Sequence, residues 1–177
     1  MMITSKQAEL DAVMDTAKAM CVAIRTAPKT QGKDYLDSCI VTGEDIEALA
    51  VEMDVMGKAS GMAFLCRDAG NLRNTAAVVL VAARNEVRGI NEICQYCGFE
   101  NCVACATAGG ACAFTGMDLG IALGSAVSIA ADRRVDNRIM FSAGTAAKKL
   151  GMFAPEYTQI IAIPLCARGK SPYFDRK

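Results

Sequence analysis

Apolar positions recur along this chain with two different periods. From Thr4 to Ile24 they fall every three or four residues, at Leu10, Val13, Met14, Ala17, Met20, Cys21 and Ile24, which predicts an amphipathic helix. Thr4 and Gln7 are spaced to form a capping box at its start. Residues 25–34 are polar, carry Arg25, Lys29 and Lys33, and are broken by Pro28 and Gly32, so they read as a loop. Leu36 to Val41 fits a short strand. A second helix begins at Thr42 and carries Ile46, Leu49, Ala50, Met53 and Met56 on one stripe, with Gly57 and Gly61 punctuating its end. Met62 to Leu72 fits a further short helix.

Two later stretches carry several consecutive apolar residues. Ala76–Ala83 is a short run bounded by polar residues, the pattern of a strand buried on both faces. Thr158–Leu165 is a second such strand, and Pro164 predicts that it lies at a sheet edge or ends there. Between them, residues 118–132 are apolar all around a helix, with Gly120, Gly124, Ser125 and Ser128 as small contact points. This predicts a buried central helix with Asp118 as its N-cap. Arg138 to Phe141 suggests a brief strand, Ser142 to Leu150 a helix ended by Gly151, and residues 166–177 a polar, cationic tail.

Length and composition narrow the class. The 177 residues fit one domain, 1–177, and with 53% hydrophobic but only 6% aromatic residues its core is built from Ala, Val, Ile, Leu and Met. The formal net charge is zero and no basic block occurs, which argues against nucleic acid as a partner. No apolar run approaches the roughly 20 residues of a membrane span, and the amino terminus lacks the apolar centre of a signal peptide. The expected location is therefore the cytoplasm.

That location decides how nine cysteines are read. In a reducing compartment disulfides are rare, and dense thiols point to metal binding or catalysis. Five of them, Cys94, Cys97, Cys102, Cys105 and Cys112, fall in segment 94–112, to which the connection from Arg84 to Asn91 delivers the chain from the first buried strand. A two-residue gap lets a tight turn aim two thiolates at one metal or cluster. Gly98 frees the backbone after Cys97, and the helical composition of Glu100–Ala108 sets Cys102 and Cys105 on one face. The chain contains no histidine, which removes mixed cysteine–histidine zinc sites and histidine-based catalysis together. Cys94, Cys97 and Cys102 crowd one short loop as cluster ligands do, whereas zinc pairs are usually set farther apart. A four-cysteine zinc site is the alternative to an iron–sulfur cluster. Cys21, Cys39 and Cys66 read as small buried hydrophobes.

The run Cys94-x-x-Cys97-Gly98-Phe99-x-x-Cys102-x-x-x-Ala106-x-Ala108, with a later cysteine, resembles the small [4Fe-4S] domain of electron-transport and corrinoid iron–sulfur proteins. The resemblance implies Cys94, Cys97, Cys102 and Cys112 as ligands, with Cys105 outside the set. The gap from Cys102 to Cys112 is shorter than is usual in that domain, which leaves Cys105 as a possible substitute.

A second resemblance covers 118–131, then Ile139-Met-Phe-Ser-Ala-Gly144, Ala147-Lys-Lys-Leu-Gly151-Met152 and Ile160-Ile-Ala-Ile-Pro164, and more loosely Ala27-Pro28-Lys29-Thr30-x-Gly32. These are similar to the nitroreductase series. That likeness implies an α+β fold, a central sheet flanked by helices, and a homodimer with FMN at the subunit interface. It would set Thr30 and Gln31 near the flavin ring, Ser142, Ala143 and Gly144 against its face, and Arg168 or Lys170 near its phosphate. The Arg-Arg-Ser type segment with which nitroreductases grip that phosphate has no counterpart before Arg25. Together the two halves resemble the ferredoxin-domain protein family. The implied role is redox: electron transfer through the cluster to a partner protein or small-molecule substrate, or an FMN-dependent reductase with the cluster as relay. A non-catalytic zinc-stabilised module is the remaining alternative.

Overall fold

Seven consecutive residues, Ala77 to Ala83, are fully shielded from solvent, and the molecule is arranged around the strand they form. The fold comes from a computed structural model, which describes residues 2–174; the last three residues of the polar tail lie outside them. In chain order the elements are α1 (Ser5–Thr26), a short 3-10 turn (Thr30–Gly32), β1 (Leu36–Val41), α2 (Glu44–Ser60), α3 (Ala63–Leu72), β2 (Ala77–Arg84), a second 3-10 turn (Asn91–Ile93), α4 (Cys102–Thr107), α5 (Ala113–Asp132), β3 (Asp136–Asn137), α6 (Phe141–Lys149) and β4 (Tyr157–Cys166).

The strands form one antiparallel sheet in the order β1-β2-β4-β3. Side chains alternate across a strand, so a strand that is apolar at every position needs cover on both faces. Val79, Val81 and Ala83 of β2 pack into a cluster with Val13, Ala17 and Met20 of α1 and Ala122 and Ala126 of α5. Val78, Leu80 and Ala82 face the other way, toward Leu49 and Met53 of α2, Leu72 of α3 and Ala143 and Ala147 of α6. Full burial of each Val or Leu is worth roughly 1.5–3 kcal/mol, so this one strand contributes more than any surface contact. The α+β architecture expected from the sequence, a central sheet flanked by helices, is thus present.

Several local expectations change. Of the two places expected for Pro164, the sheet edge is excluded, since β4 lies between β2 and β3, whereas the strand does end just past it, at Cys166. Ala162 exchanges two backbone hydrogen bonds with Met140, at 2.8 and 3.1 Å, so by alternation Pro164 faces the same side. There the partner ladder is interrupted between Asn137 and Met140, and the missing N–H costs nothing. The brief strand expected at 138–141 shrinks to that Met140 bridge. Gly57 does not end α2; it is a contact point inside it, where an added Cβ would come within 2.6 Å of Cys66 Sγ. Gly61 is the C-cap, at φ 70°.

The largest change concerns α5. It starts five residues before Asp118, at Ala113, and Cys112 is its N-cap. Asp118 faces inward from the second turn and is 1% exposed. The helix is also not buried on all sides, because it covers α1 and β2 with one face only; Met117 and Ile121 are exposed on the other. By length and hydropathy α5 could cross a membrane, yet its Leu119, Ala122, Leu123, Ala126 and Ala130 are core residues.

Candidate metal centre

β2 hands the chain to residues 85–112, which make a series of turns before returning to the core at α5. Asn85, the first residue past β2, fastens both ends of this excursion. Its Nδ2 donates to Gly110 O at 2.8 Å, and its Oδ1 accepts from Cys112 N at 3.0 Å. Gly98 has φ 79°, as its place after Cys97 predicts, and its N–H donates to Gln95 O at 2.9 Å. Asn101 caps α4 by accepting from Ala104 N at 2.9 Å, so Cys102 and Cys105 stand one turn apart on that short helix. Gly110 is required by packing: a Cβ there would meet the Phe99 ring at 2.5 Å and Cys105 Sγ at 3.1 Å.

These constraints set Cys94, Cys97, Cys102, Cys105 and Cys112 around one cavity, with Arg88, Phe99 and Phe114 on its remaining wall. Cys105 is fully buried and Cys112 is 7% exposed. Burial pushes the Cys105 thiol above its ordinary value, and a hydrogen bond to Cys97 with the neighbouring Cys97, Cys112 and Cys102 adds to this. Asn91 N–H donates to Cys102 Sγ at 3.3 Å, the kind of backbone contact that stabilises negative sulfur in metal sites. The enclosed space is narrow, about 20 Å³, and among the described residues no three acidic or thiol side chains converge tightly enough to hold a metal ion as they stand. The donor set itself fits: a cluster or zinc needs four thiolates, and five line the wall.

Behind the thiols lies a polar network that sequence reasoning missed. Arg88 is 2% exposed and its Nη2 donates to Asp118 Oδ2 at 2.8 Å. Its Nη1 donates to Glu86 O, and its guanidinium lies 4.7 Å from the Tyr35 ring centroid. The other carboxylate oxygen of Asp118 accepts from Thr30 N at 3.0 Å and Thr30 Oγ1 at 2.8 Å. The available signal was an arginine shortly before the cysteines and an aspartate set within an apolar helix, each needing a partner if buried.

The residues expected around a flavin are not gathered in one place within the chain. Thr30 and Gln31 follow the C-terminal end of α1; Thr30 is spent on Asp118, and Gln31 is exposed at φ 59°. Ser142, Ala143 and Gly144 are buried in α6, where Ser142 Oγ donates to Asp68 Oδ2 at 2.8 Å. Gly144 lets α6 lie on β4, since a Cβ would sit 2.1 Å from Ile160 O. It also lines a cavity of about 390 Å³ with Phe141, Lys148, Gln159 and Leu119. Arg168 is exposed beside Ser5, Lys6 and Glu9, at the opposite end of α1 from Thr30. Lys170 is exposed in the segment after β4.

Comparison with known proteins bears on this arrangement. Solved structures with the same fold include a nitroreductase with bound FMN from Bacteroides fragilis NCTC 9343, with TM-score 0.60, 13% identity and coverage of 100% of this chain and 84% of that one. A nitroreductase family protein from Clostridium novyi NT matches with TM-score 0.59 and 12% identity over 86% of this chain and 73% of that one. An FMN-dependent nitroreductase from Clostridium difficile R20291 matches with TM-score 0.55 and 11% identity over 92% and 78%. At these identities the likeness establishes the fold alone. An uncharacterized protein of Archaeoglobus fulgidus is 40% identical over 184 residues, covering 99% of this chain and 98% of its own length. Residues 108–176 match the model of a family described as uncharacterized proteins containing a ferredoxin domain, a match that includes Cys112 and leaves the other four clustered cysteines outside it. The chain belongs to this family of ferredoxin-domain proteins, built on a nitroreductase fold.

Proposed function

We propose that the protein is a soluble, cytoplasmic redox protein that holds a [4Fe-4S] cluster and exchanges single electrons with a partner protein or a small-molecule substrate. The observation that carries this reading is the meeting of five thiols at one cavity, beside the N-terminal end of α5. Cys94, Cys97, Cys102 and Cys112 are the proposed ligands. Cys105 is the neighbour that packs against Gly110 and Phe99 rather than ligating. When bound, such a cluster takes up and releases one electron at a time, at a potential set by charge, hydrogen bonds to sulfur and solvent access. The chain supplies each of these controls. Asn91 N–H is directed at Cys102 Sγ, Phe99 and Phe114 form the apolar wall, and the helix end at Cys112 favours negative charge. The zinc alternative draws no support from the family or from the fold neighbours.

A second reading, an FMN-dependent reductase with the cluster as relay, is favoured by the cavity between α6 and β4. Leu119 on its wall is seven positions along α5 from Cys112, a rise of roughly 10 Å at 1.5 Å per residue. A flavin there would stand close to the thiols. The exposed Met117, Ile121 and Phe141 supply an apolar face for a second copy, consistent with a homodimer.

Anaerobic purification followed by visible and EPR spectroscopy, with iron, labile sulfide and flavin assays, tests these readings. About four irons and four sulfides per chain, with a broad brown absorption, are expected. Stoichiometric flavin as well moves the conclusion to the second reading, and a colourless, zinc-loaded protein overturns both.

A further inference from the structure

Arg88 is the one fully buried cation on the wall of the thiol cavity among the described residues. Its partners account for the two terminal nitrogens, which donate to Asp118 Oδ2 and Glu86 O. Its Nε is buried with no hydrogen-bond partner among the described residues. A buried, unpaired N–H costs about 1–3 kcal/mol, and a buried ion pair costs desolvation on both members. A hydrophobic pair would fill this position at lower cost, so the guanidinium needs a reason to be there.

We infer that Arg88 is an electrostatic tuning residue for the cluster, and that Asp118 sets how much of its charge the cluster feels while tying that setting to the Thr30 turn. The inference rests on the iron–sulfur reading above. Reduction adds one electron, and so one negative charge, to the metal group without a bond being made or broken. A cation held in a low-dielectric wall favours that reduced level far more than a solvated one does. Arginine suits the position because one planar guanidinium donates to Glu86 O and Asp118 Oδ2 at once. Asp118 offsets part of the charge through its 2.8 Å pair with Arg88. Thr30 modulates Asp118 in turn, because its N–H and hydroxyl both donate to Oδ1, at 3.0 and 2.8 Å. Thr30 sits next to Gln31, whose φ of 59° lies in the left-handed region. The turn bearing Thr30 lies 58 residues before Arg88 in sequence, and Asp118 is the side chain that links them.

The test is a dithionite titration of anaerobically purified protein under EPR, with iron content measured for every variant. Arg88→Met is expected to disfavour reduction at least tenfold, a downward shift of about 59 mV for one electron, and Arg88→Lys to shift it by less. Asp118→Asn is expected to move the potential upward. Thr30→Val, in a half-exposed turn that tolerates the change, is expected to give a smaller downward shift, because Asp118 loses a donor that dilutes its charge. A purely structural role would not give opposite signs at Arg88 and Asp118. Equal potentials in wild type and Arg88→Met, or shifts of the same sign at Arg88 and Asp118, overturn the inference. If Arg88→Met loses its iron, unchanged potentials in both Arg88→Lys and Thr30→Val overturn it. Wild-type protein without iron overturns the iron–sulfur reading itself, whereas normal iron with unmoved potentials removes only the role of Arg88.

Discussion

Between Ala77 and Ala83 every side chain is apolar and fully buried, whereas between Asn91 and Ala111 Cys105 alone is buried among the described side chains. The first region is held by non-directional burial on two faces of a sheet. The second is held by a few directional contacts: Asn85 to the 110–112 turn, Asn101 at the start of α4, Asn91 to Cys102, and the Arg88–Asp118 pair behind them. A region of the first kind forms from the chain alone, while one of the second kind gains most from a ligand that its side chains share. The site is thus a weakly self-supporting segment fastened to a rigid strand and a rigid helix, which keeps the thiols in place without burying them in the sheet.

The widest separation of the two regions is expected from the thiols. Cys112→Ser should lose nearly all bound metal while far-UV circular dichroism and the main unfolding transition stay close to wild type, and Cys105→Ser should retain its metal. Equal metal loss in both variants would show the ligand choice to be wrong. In the sheet, Leu80→Ala should cost about 2–5 kcal/mol in denaturant unfolding, the range for a large cavity in a core, with metal per folded molecule unchanged. A loss of metal in step with stability would mean that the two regions are one cooperative unit.

Two glycines sharpen the contrast at smaller amplitude. Gly144→Ala drives a Cβ to 2.1 Å from the backbone oxygen of Ile160, where nothing can yield cheaply, and should destabilise by about 1–3 kcal/mol without touching the metal. Gly110→Ala meets the movable Phe99 ring and Cys105 Sγ, so it should lower metal retention in a chelator challenge more than it lowers stability. The reverse pattern would undo the distinction between rigid and yielding packing.

The smallest effect lies at β1. Burial, ahead of the charges of Cys21, Asp37 and Asp45, pushes the Cys39 thiol up from 9.0 to about 11. The folded state therefore holds the proton longer than the unfolded chain, so this contribution is complete below pH 9 and is lost as pH rises toward 11. Cys39→Val should flatten the fall in stability over that interval. Parallel curves for wild type and variant would remove Cys39 as its source.

Much of the scaffold could be read from periodicity. β1 was expected at Leu36–Val41 and lies there, and the apolar runs leading to β2 and β4 were legible because a strand covered on both faces has no polar alternation to blur it. The spacing of the cysteines likewise pointed to one loop, and the structure brings all five to one cavity. Asp118 was misread as a cap because an aspartate before an apolar helical run carries the same local pattern whether it ends in solvent or in the core. Arg88 was read only as part of the connection to Cys94.

By itself, then, the sequence determined most of the helices, the strand buried on both faces, and which side chains have the chemistry to hold a metal, because those properties depend on neighbours a few residues apart. Only the tertiary structure decided what stands behind the thiols. Arg88, Asp118 and Thr30 are separated by 30 and 88 residues along the chain, and no local pattern encodes that a carboxylate in α5 will meet an arginine past β2 and a threonine past α1. The exclusion of water from that meeting point gives the three residues their leverage on charge, and exclusion of water is a property of the packed molecule rather than of any segment.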